Sequence, residues 1–209
     1  MKTKKYSIHN PSHIKNAIAC LNTGGVIAFP TDTVYGIGAI INNKAALKRI
    51  YSIKERNLLK ALPVMVSSLN QLPSLIDPES DYIAAHKLAS CFWPGALTLI
   101  FKKQLKISNL ISQTNTIGIR MPDYPPVLDL INQTGPLAVT SANLSGNRNP
   151  LSAEEVLEQL DGRIDIILDG GKTTGLQPST VVNCSDPETI NILREGAITE
   201  EMLEECLHA

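Results

Sequence analysis

The stretch VIAFPTDTVYGIGAII, residues 26–41, contains two apolar segments separated by a loop rich in hydroxyl groups and glycine. The pattern predicts a buried strand over Val26–Phe29 that ends at Pro30, and a second strand near Gly38–Ile41. Similar short runs of valine and isoleucine recur along the chain, with amphipathic stretches of helical period between them. This alternation is typical of an α/β domain whose sheet carries helices on its faces.

Capping residues mark where the predicted helices begin. Candidate N-caps are Ser12, Asn43, Asp77, Ser152 and Thr199. Glu155, three residues after Ser152, completes a capping box. No linker rich in proline, glycine or serine divides the chain. We therefore expect one domain over residues 1–209, with a core at about 12–197 and a short C-terminal helix at about 199–207.

Composition narrows the classes of function. Nineteen basic and twenty acidic residues give a net charge of −1, which argues against general nucleic-acid binding but allows one local basic site. No apolar stretch is long enough to span a membrane, and the N-terminus lacks a signal-peptide pattern. The expected location is the cytoplasm, with no membrane partner. In that compartment Cys20, Cys91, Cys184 and Cys206 are expected to be free thiols.

Three polar segments lie directly after predicted strands or helices. The hydroxyls and glycines of residues 30–38 suit a polar ligand, or form a turn with a β-bulge. Lys54 to Lys60 is a local cationic segment that suits phosphate, or simply compensates a helix dipole. Thr140 to Asn143 follows an apolar strand, where open sheets often bind ligands, or is a turn. Arg120 similarly ends a strand, as a solvated terminus or a carboxylate receptor.

Several common sites are excluded by spacing. Asp169 to Thr174 lacks the first glycine of a phosphate-binding P-loop, because residue 166 is isoleucine. Gly36 and Gly38 are not followed by the third glycine of a dinucleotide fingerprint. Neither a serine–histidine–aspartate arrangement nor a metal-ligand cluster can be assigned from the sequence.

Taken in order, these segments resemble the YrdC/TsaC family of threonylcarbamoyl-AMP synthases. The matching segments are FPTDTVYGIG (29–38), KER (54–56), WPGALTLI (93–100), IGIRMP (117–122), TSANLSG (140–146), PSTVV (178–182) and LREG (193–196). The resemblance implies a twisted mixed β-sheet flanked by helices around a concave, positively charged cavity. It also implies the single-domain form of the family.

The resemblance implies site residues as well. Those implied for ATP are Lys54, Arg56, Lys60, Thr116, Ser141, Asn143, Ser152 and Arg194. Those implied for threonine are Thr33, Tyr35, Arg120, Thr140 and Ser179. Many relatives have histidine where this chain has Met65, and if that histidine helps to hold threonine, amino-acid binding here must rely on other groups. No covalent nucleophile and no protein metal site are expected, since Mg²⁺ would be held mainly by ATP.

The implied reaction joins L-threonine, bicarbonate and ATP into L-threonylcarbamoyladenylate and pyrophosphate. This is the nucleotidyl transfer that precedes N6-threonylcarbamoyladenosine formation at position 37 of tRNAs reading codons that start with A. A separate threonylcarbamoyl transferase complex would receive the product, and any contact with tRNA would be weak or indirect. The alternatives are a double-stranded RNA or tRNA-binding module and a carbamoyl-transfer domain like those of hydrogenase maturation. Alanine at Lys54 or Arg56 is expected to lower turnover about 10²–10³-fold without unfolding the protein.

Overall fold

The computed structural model describes residues 2–78, 82–175, 177–186 and 189–209. Across these ranges, ten strands form one mixed sheet: β1 (Lys4–Ser7), β2 (Ile27–Phe29), β3 (Gly36–Ile40), β4 (Val64–Met65), β5 (Leu97–Lys102), β6 (Thr116–Arg120), β7 (Leu137–Ser141), β8 (Ile166–Asp169), β9 (Thr180–Asp186) and β10 (Thr189–Arg194). The helices are α1 (Pro11–Asn22), α2 (Lys44–Lys54), α3 (Ile83–Phe92), α4 (Pro125–Thr134), α5 (Ala153–Leu160) and α6 (Glu200–His208). A 3₁₀ turn covers Leu69–Ser74. The predicted α/β class is confirmed.

The order of strands across the sheet is β1-β8-β2-β3-β7-β4-β6-β5-β9-β10. Strand β4 lies between β6 and β7, parallel to the first and antiparallel to the second. Its register sets Met65 beside Arg120, while Gly36 of β3 lies opposite Ser141 of β7. The beginnings of β5 and β9 therefore lie near the ends of β4 and β6, whereas the beginning of β3 lies beside the end of β7, although these residues are far apart in the chain.

Both faces of the strand predicted at residues 26–29 are buried. Ile27 and Phe29 pack with α1 and α4, whereas Val26 and Ala28 point into the core on the opposite face. This larger core receives the apolar sides of α2, α3, α5 and α6. A strand with a core on each face needs apolar residues at every position, which is why VIAF does not alternate with polar residues.

One half of the sheet carries helices on only one face. Along β5, Leu97, Leu99 and Phe101 point into the larger core, whereas Thr98 and Ile100 point to the other face. Helices α1 and α4 cover that second face over β2, β3, β7 and β8, and their buried contacts include no residue of β5, β6 or β9. Within the described part of the chain, the sheet face over β5, β6 and β9 therefore lies outside the core formed with α1 and α4.

Most of the predicted helix starts are confirmed. The side chains of Asn43, Ser152 and Thr199 accept hydrogen bonds from Ala46 N, Glu155 N and Met202 N, at 3.0, 3.2 and 3.3 Å. Two were wrong. Helix α1 is capped by Asn10 instead of Ser12, because Pro11 suits the first helical position. Helix α3 begins at Ile83 rather than at Asp77–Pro78, and residues 79–81 lie outside the described ranges.

Strand β1 was not predicted, because Lys4–Ser7 has only one apolar residue, Tyr6. It pairs in parallel with β8 at the edge of the sheet, so the core extends to the N-terminal side of residue 12. An edge strand needs little apolar character, since backbone hydrogen bonds on one side hold it.

The cysteine prediction was wrong for one pair. Cys91 of α3 and Cys206 of α6 form a disulfide that joins these helices across a sequence separation of 115 residues. The packing of α6 on α3 brings the two side chains together, and the sequence spacing gave no sign of it. Cys20 and Cys184 are free, as predicted, and burial raises the pKa of the Cys184 thiol to about 12. None of the helices in the described ranges has the length and apolar character needed to cross a membrane.

Candidate functional site

A cavity of about 310 Å³ opens on the sheet face that α1 and α4 leave uncovered, and residues of β3, β4, β5, β6, β7 and β10 and of the adjoining loops line it. Its lining combines three guanidinium groups with several hydroxyls and a small apolar wall. The polar lining includes Arg56, Arg120, Arg194, Thr31, Thr33, Thr98, Thr140, Ser141, Asn149 and Ser179. The apolar wall includes Val34, Ala61, Pro63, Met65 and Val139. This volume is within the usual range for small-molecule sites.

Arg120 is fixed at the end of β6 by contacts from two other segments. Its Nη1 donates to Thr33 Oγ1 at 3.0 Å, its Nη2 to Asp32 Oδ1 at 2.6 Å, and its Nε to Gly95 O at 3.0 Å. The Thr31 hydroxyl accepts hydrogen bonds from Thr33 N and Val34 N, so the loop between β2 and β3 has a defined shape. Arg120 is almost fully buried, and the part of its side chain that remains accessible lines the cavity.

Arg194, at the end of β10, also lines the cavity. Its Nε and Nη2 donate to Ser179 O at 3.1 and 2.8 Å, and Nη2 also reaches Ser179 Oγ at 3.2 Å. Ser179 Oγ lies 2.9 Å from Thr98 Oγ1, which links β5 to the start of β9. Burial, and then the positive charge of Arg120, lower the pKa of Arg194, consistent with two cations sharing one cavity.

Arg56 follows directly after α2. Glu55, with φ of 53°, ends that helix in the left-handed conformation and turns the chain toward the cavity. The Arg56 guanidinium donates from Nη2 to Ala61 O at 2.9 Å and is half-buried. Burial lowers the pKa of Arg56, which nonetheless remains a cation at neutral pH.

Lys54, the last residue of α2, lies behind the cavity wall. Its ammonium donates to Ser141 O, to Asn143 O at 2.6 Å and to Asn143 Oδ1 at 3.1 Å. Burial and the nearby Arg56 lower the pKa of Lys54 to about 7, whereas three oxygen acceptors favour the ammonium with its three N–H groups. Asn143 Oδ1 also accepts the Ser141 hydroxyl at 2.5 Å. Lys54 and Asn143 thus determine where the Ser141 hydroxyl lies at the cavity surface.

The structure brings seven of the predicted site residues into this one cavity. They are Thr33, Arg56, Arg120, Thr140, Ser141, Ser179 and Arg194. The other six do not line it: Lys54, Asn143, Tyr35, Lys60, Thr116 and Ser152. The first two support its wall, as described above.

The remaining four have separate positions. Lys60 is exposed on the loop after Arg56. Ser152 caps α5, and its hydroxyl accepts the Glu155 amide hydrogen there. Thr116 lies at the other end of β6 from Arg120, about 13 Å away along the strand. It lines a second, wider cavity with Lys102. Every second residue of a strand points to the same face, so Thr116, Gly118 and Arg120 share one face of β6. Both cavities therefore lie on the sheet face that α1 and α4 leave uncovered. The ligand contacts implied for these residues stay predictions.

Tyr35 is fully buried and fixes the turn after β8. Its hydroxyl donates to Gly171 O at 2.7 Å and accepts from Gly170 N at 3.2 Å. Burial is the main reason that the pKa of Tyr35 rises to about 12. The hydroxyl is directed at this turn, so the role that its position supports is structural.

Replacing Tyr35 by phenylalanine is therefore expected to lower the free energy of unfolding by about 1–2 kcal/mol, because two turn groups lose a buried partner. Turnover should change by less than about 3-fold, since no group at the cavity surface is removed. Urea unfolding and steady-state kinetics measure the two effects, with Tyr6→Phe, at a half-buried residue of β1, as the control. Unchanged stability with a large rise in KM for an amino acid would instead assign Tyr35 to the ligand.

Sequence reasoning missed Asp32, Thr31 and Thr98 as members of the site. Asp32 and Thr31 lie in the same loop as Thr33, and their density of polar groups was a usable signal. Thr98 is a single polar residue in the apolar run of β5, which gives no signal until the sheet shows its face. Gly36 forms part of the cavity floor, where a Cβ would come within 2.8 Å of Val139 Cγ1.

The sequence and the fold of this chain are both similar to those of one protein family. Residues 19–196 match the family model Sua5_yciO_yrdC, which is described as "Telomere recombination". A Bacillus subtilis protein named threonylcarbamoyl-AMP synthase is 42% identical over 98% of this chain, and this chain spans 61% of that protein's length.

Solved structures agree. Pyrococcus abyssi Sua5 complexed with L-threonine has a TM-score of 0.91 and 34% identity, covering 99% of this chain and 61% of that one. E. coli YciO has a TM-score of 0.82 and 30% identity, covering 93% of this chain and 96% of its own. The family predicted from the sequence motifs is confirmed, and the chain belongs to the Sua5/YciO/YrdC family.

Proposed function

We propose that this chain synthesises L-threonylcarbamoyladenylate and pyrophosphate from L-threonine, bicarbonate and ATP. The observation that carries the proposal is the convergence of Arg56, Arg120 and Arg194 with aligned hydroxyls in one cavity. The reaction brings together the triphosphate, the amino-acid carboxylate and the carbamate, which repel one another in a partly desolvated site. The name of the B. subtilis relative and the L-threonine bound in the P. abyssi Sua5 structure support the same activity.

Threonine fits the part of the cavity around Arg120. A guanidinium receives a carboxylate through paired N–H donors, and Thr33 and Ser179 offer hydroxyls beside it. Thr140 also lines the cavity, and so does an apolar surface that includes Met65 and Val139. This surface is compatible with the methyl group of threonine.

The nucleotide fits between Arg56, Arg194 and Ser141. The two guanidinium groups would neutralise phosphate oxygens, and the Ser141 hydroxyl would orient one of them. The open sheet face extends from there toward Thr116, so a nucleotide lying along it would reach that residue. Lys60 and Ser152 are proposed as peripheral contacts, whereas Lys54 and Asn143 would act through Ser141.

The chemistry that this arrangement favours is positioning and charge neutralisation. The amine of threonine and bicarbonate form a carbamate with the release of water, and one carbamate oxygen then attacks the α-phosphate as pyrophosphate leaves. Arg56 and Arg194 would stabilise the charge that accumulates on the departing phosphates, and Arg120 would hold the amino acid in line. None of these side chains needs to form a covalent bond with the substrate.

Mg²⁺ is proposed as a companion of the nucleotide. Among the residues that the structure describes, no group of three or more His, Cys, Asp or Glu side chains has the arrangement of a metal site. Guanidinium groups and hydroxyls dominate the cavity, and they do not suit a resident divalent cation. The triphosphate and water would therefore supply its ligands.

We further propose a cytoplasmic location and transfer of the product to a separate threonylcarbamoyl transferase complex acting on adenosine 37 of tRNA. The second candidate is a module that binds double-stranded RNA or tRNA, which the cationic cavity favours. A cavity of about 310 Å³ admits small molecules, whereas duplex RNA is recognised over a broad surface of backbone contacts. The balanced net charge also favours the enzyme.

Mass spectrometry of a reaction with ¹³C-bicarbonate, threonine, ATP and Mg²⁺ tests the proposal. We expect a labelled adenylate of threonylcarbamate and one pyrophosphate per product, dependent on all three substrates. If no labelled product forms and the chain instead binds RNA with an affinity that falls steeply with salt, the RNA-binding candidate is correct.

A further inference from the structure

We propose that Asp32 is a positioning residue that fixes the Arg120 guanidinium for an amino-acid carboxylate, an inference that rests on the proposed function. Asp32 Oδ1 and Arg120 Nη2 are 2.6 Å apart, and their side chains are 16% and 7% exposed. Both side chains are less exposed than those of the pairs Lys5–Glu154, Lys5–Asp169, Arg49–Asp165, Arg148–Glu155 and Arg163–Glu55. It lies against the cavity, with Thr31 and Thr33 on either side of Asp32 in the lining.

Asp32 belongs to a set of three anchors that take different nitrogens of one guanidinium. Asp32 holds Nη2, Thr33 Oγ1 holds Nη1, and Gly95 O holds Nε. Of five N–H groups, two are left for a ligand, one on each terminal nitrogen. A bidentate contact with a carboxylate needs both of these N–H groups in one fixed plane. The three anchors therefore determine whether the Arg120 guanidinium is oriented to bind a carboxylate. Asp32 is the only charged anchor of the three, and charged hydrogen bonds are the stronger kind.

The carboxylate of Asp32 is expected to favour amino-acid binding but to weaken the binding of the nucleotide. It partly offsets the positive charge that Arg56, Arg120 and Arg194 give to the cavity. Removing its charge therefore makes the cavity more attractive to a triphosphate, while Arg120 loses the anchor that aligns it with an amino acid. A positioning role thus predicts opposite changes in two affinities. A general structural role predicts that both affinities fall together.

The test uses Asp32→Asn and Asp32→Ala in the full chain. Asn keeps the shape and one acceptor oxygen, whereas Ala removes the anchor. Asp123→Asn is the matched control, because Asp123 is exposed and only three residues after Arg120. Calorimetry gives the Kd values for L-threonine and ATP separately, urea unfolding reports folding, and the labelled-bicarbonate assay reports product.

We expect the Kd for threonine to rise about 10-fold in Asp32→Asn and about 30–100-fold in Asp32→Ala, with ATP bound at least as tightly as by the wild type. The control should match the wild type. If Asp32→Ala does not fold, the Asn variant decides the matter alone. Folded variants with unchanged threonine affinity, or with equal losses for threonine and ATP, overturn the positioning role while a product-forming wild type retains its function. A wild type that neither binds threonine nor forms product overturns the proposed function and this role together.

Discussion

Replacing Arg56 by alanine is expected to lower kcat/KM for ATP by about 10²–10³ while changing the free energy of unfolding by less than about 1 kcal/mol. The guanidinium is half-buried at the cavity surface and makes two hydrogen bonds, both to carbonyl groups of its own loop, Lys60 O and Ala61 O. Its loss removes a cation from the cavity but no part of the core. Product formation as a function of ATP concentration, together with urea unfolding, measures the two effects.

The matched control for this variant is Arg148→Ala. Arg148 is an arginine with a 79% exposed side chain that pairs with Glu155 outside the cavity. An exposed ion pair contributes little, so turnover and stability should both stay near the wild type. A lysine at position 56 should recover only part of the loss, because an ammonium lacks the planar pair of donors. Near-normal turnover in Arg56→Ala would remove Arg56 from the phosphate site.

Replacing Lys54 by alanine is expected to lower both turnover and stability, unlike the stable variant predicted from the sequence. The change leaves Ser141 O, Asn143 O and Asn143 Oδ1 without the buried ammonium that they share. We expect a loss of about 3 kcal/mol in the free energy of unfolding, since buried acceptors lose their donor. Turnover should fall about 10²-fold, because the Ser141 hydroxyl is no longer held by the Lys54–Asn143 contact.

Two further variants separate the causes for Lys54. Lys54→Met keeps the aliphatic stem but has no donors, so it should retain most of the stability loss if hydrogen bonds dominate over packing. Lys48→Ala changes an exposed lysine of the same helix and should leave both quantities unchanged. A Lys54→Ala variant as stable as the wild type would contradict the buried hydrogen-bond arrangement, and normal turnover would contradict its link to Ser141.

The local chemistry of the chain was readable without coordinates. The unbroken apolar run of residues 26–29 predicted a buried strand, and Asn43, Ser152 and Thr199 predicted three helix starts. A helix cap depends on residues within four positions of it, and a buried strand is visible as a run of apolar residues in the sequence. The ordered motifs additionally predicted the family, which the comparisons bear out.

The tertiary structure alone decided how the functional side chains divide between the cavity surface and its support. Lys54 and Arg56 are two residues apart, yet one is buried among carbonyl oxygens and the other lines the cavity, because the helix ends between them at Glu55. The Asp32–Arg120 pair and the disulfide of Cys91 with Cys206 join residues separated by 88 and 115 positions. Strand order and helix packing set such distances, and they follow from the burial of the whole chain rather than from any local pattern.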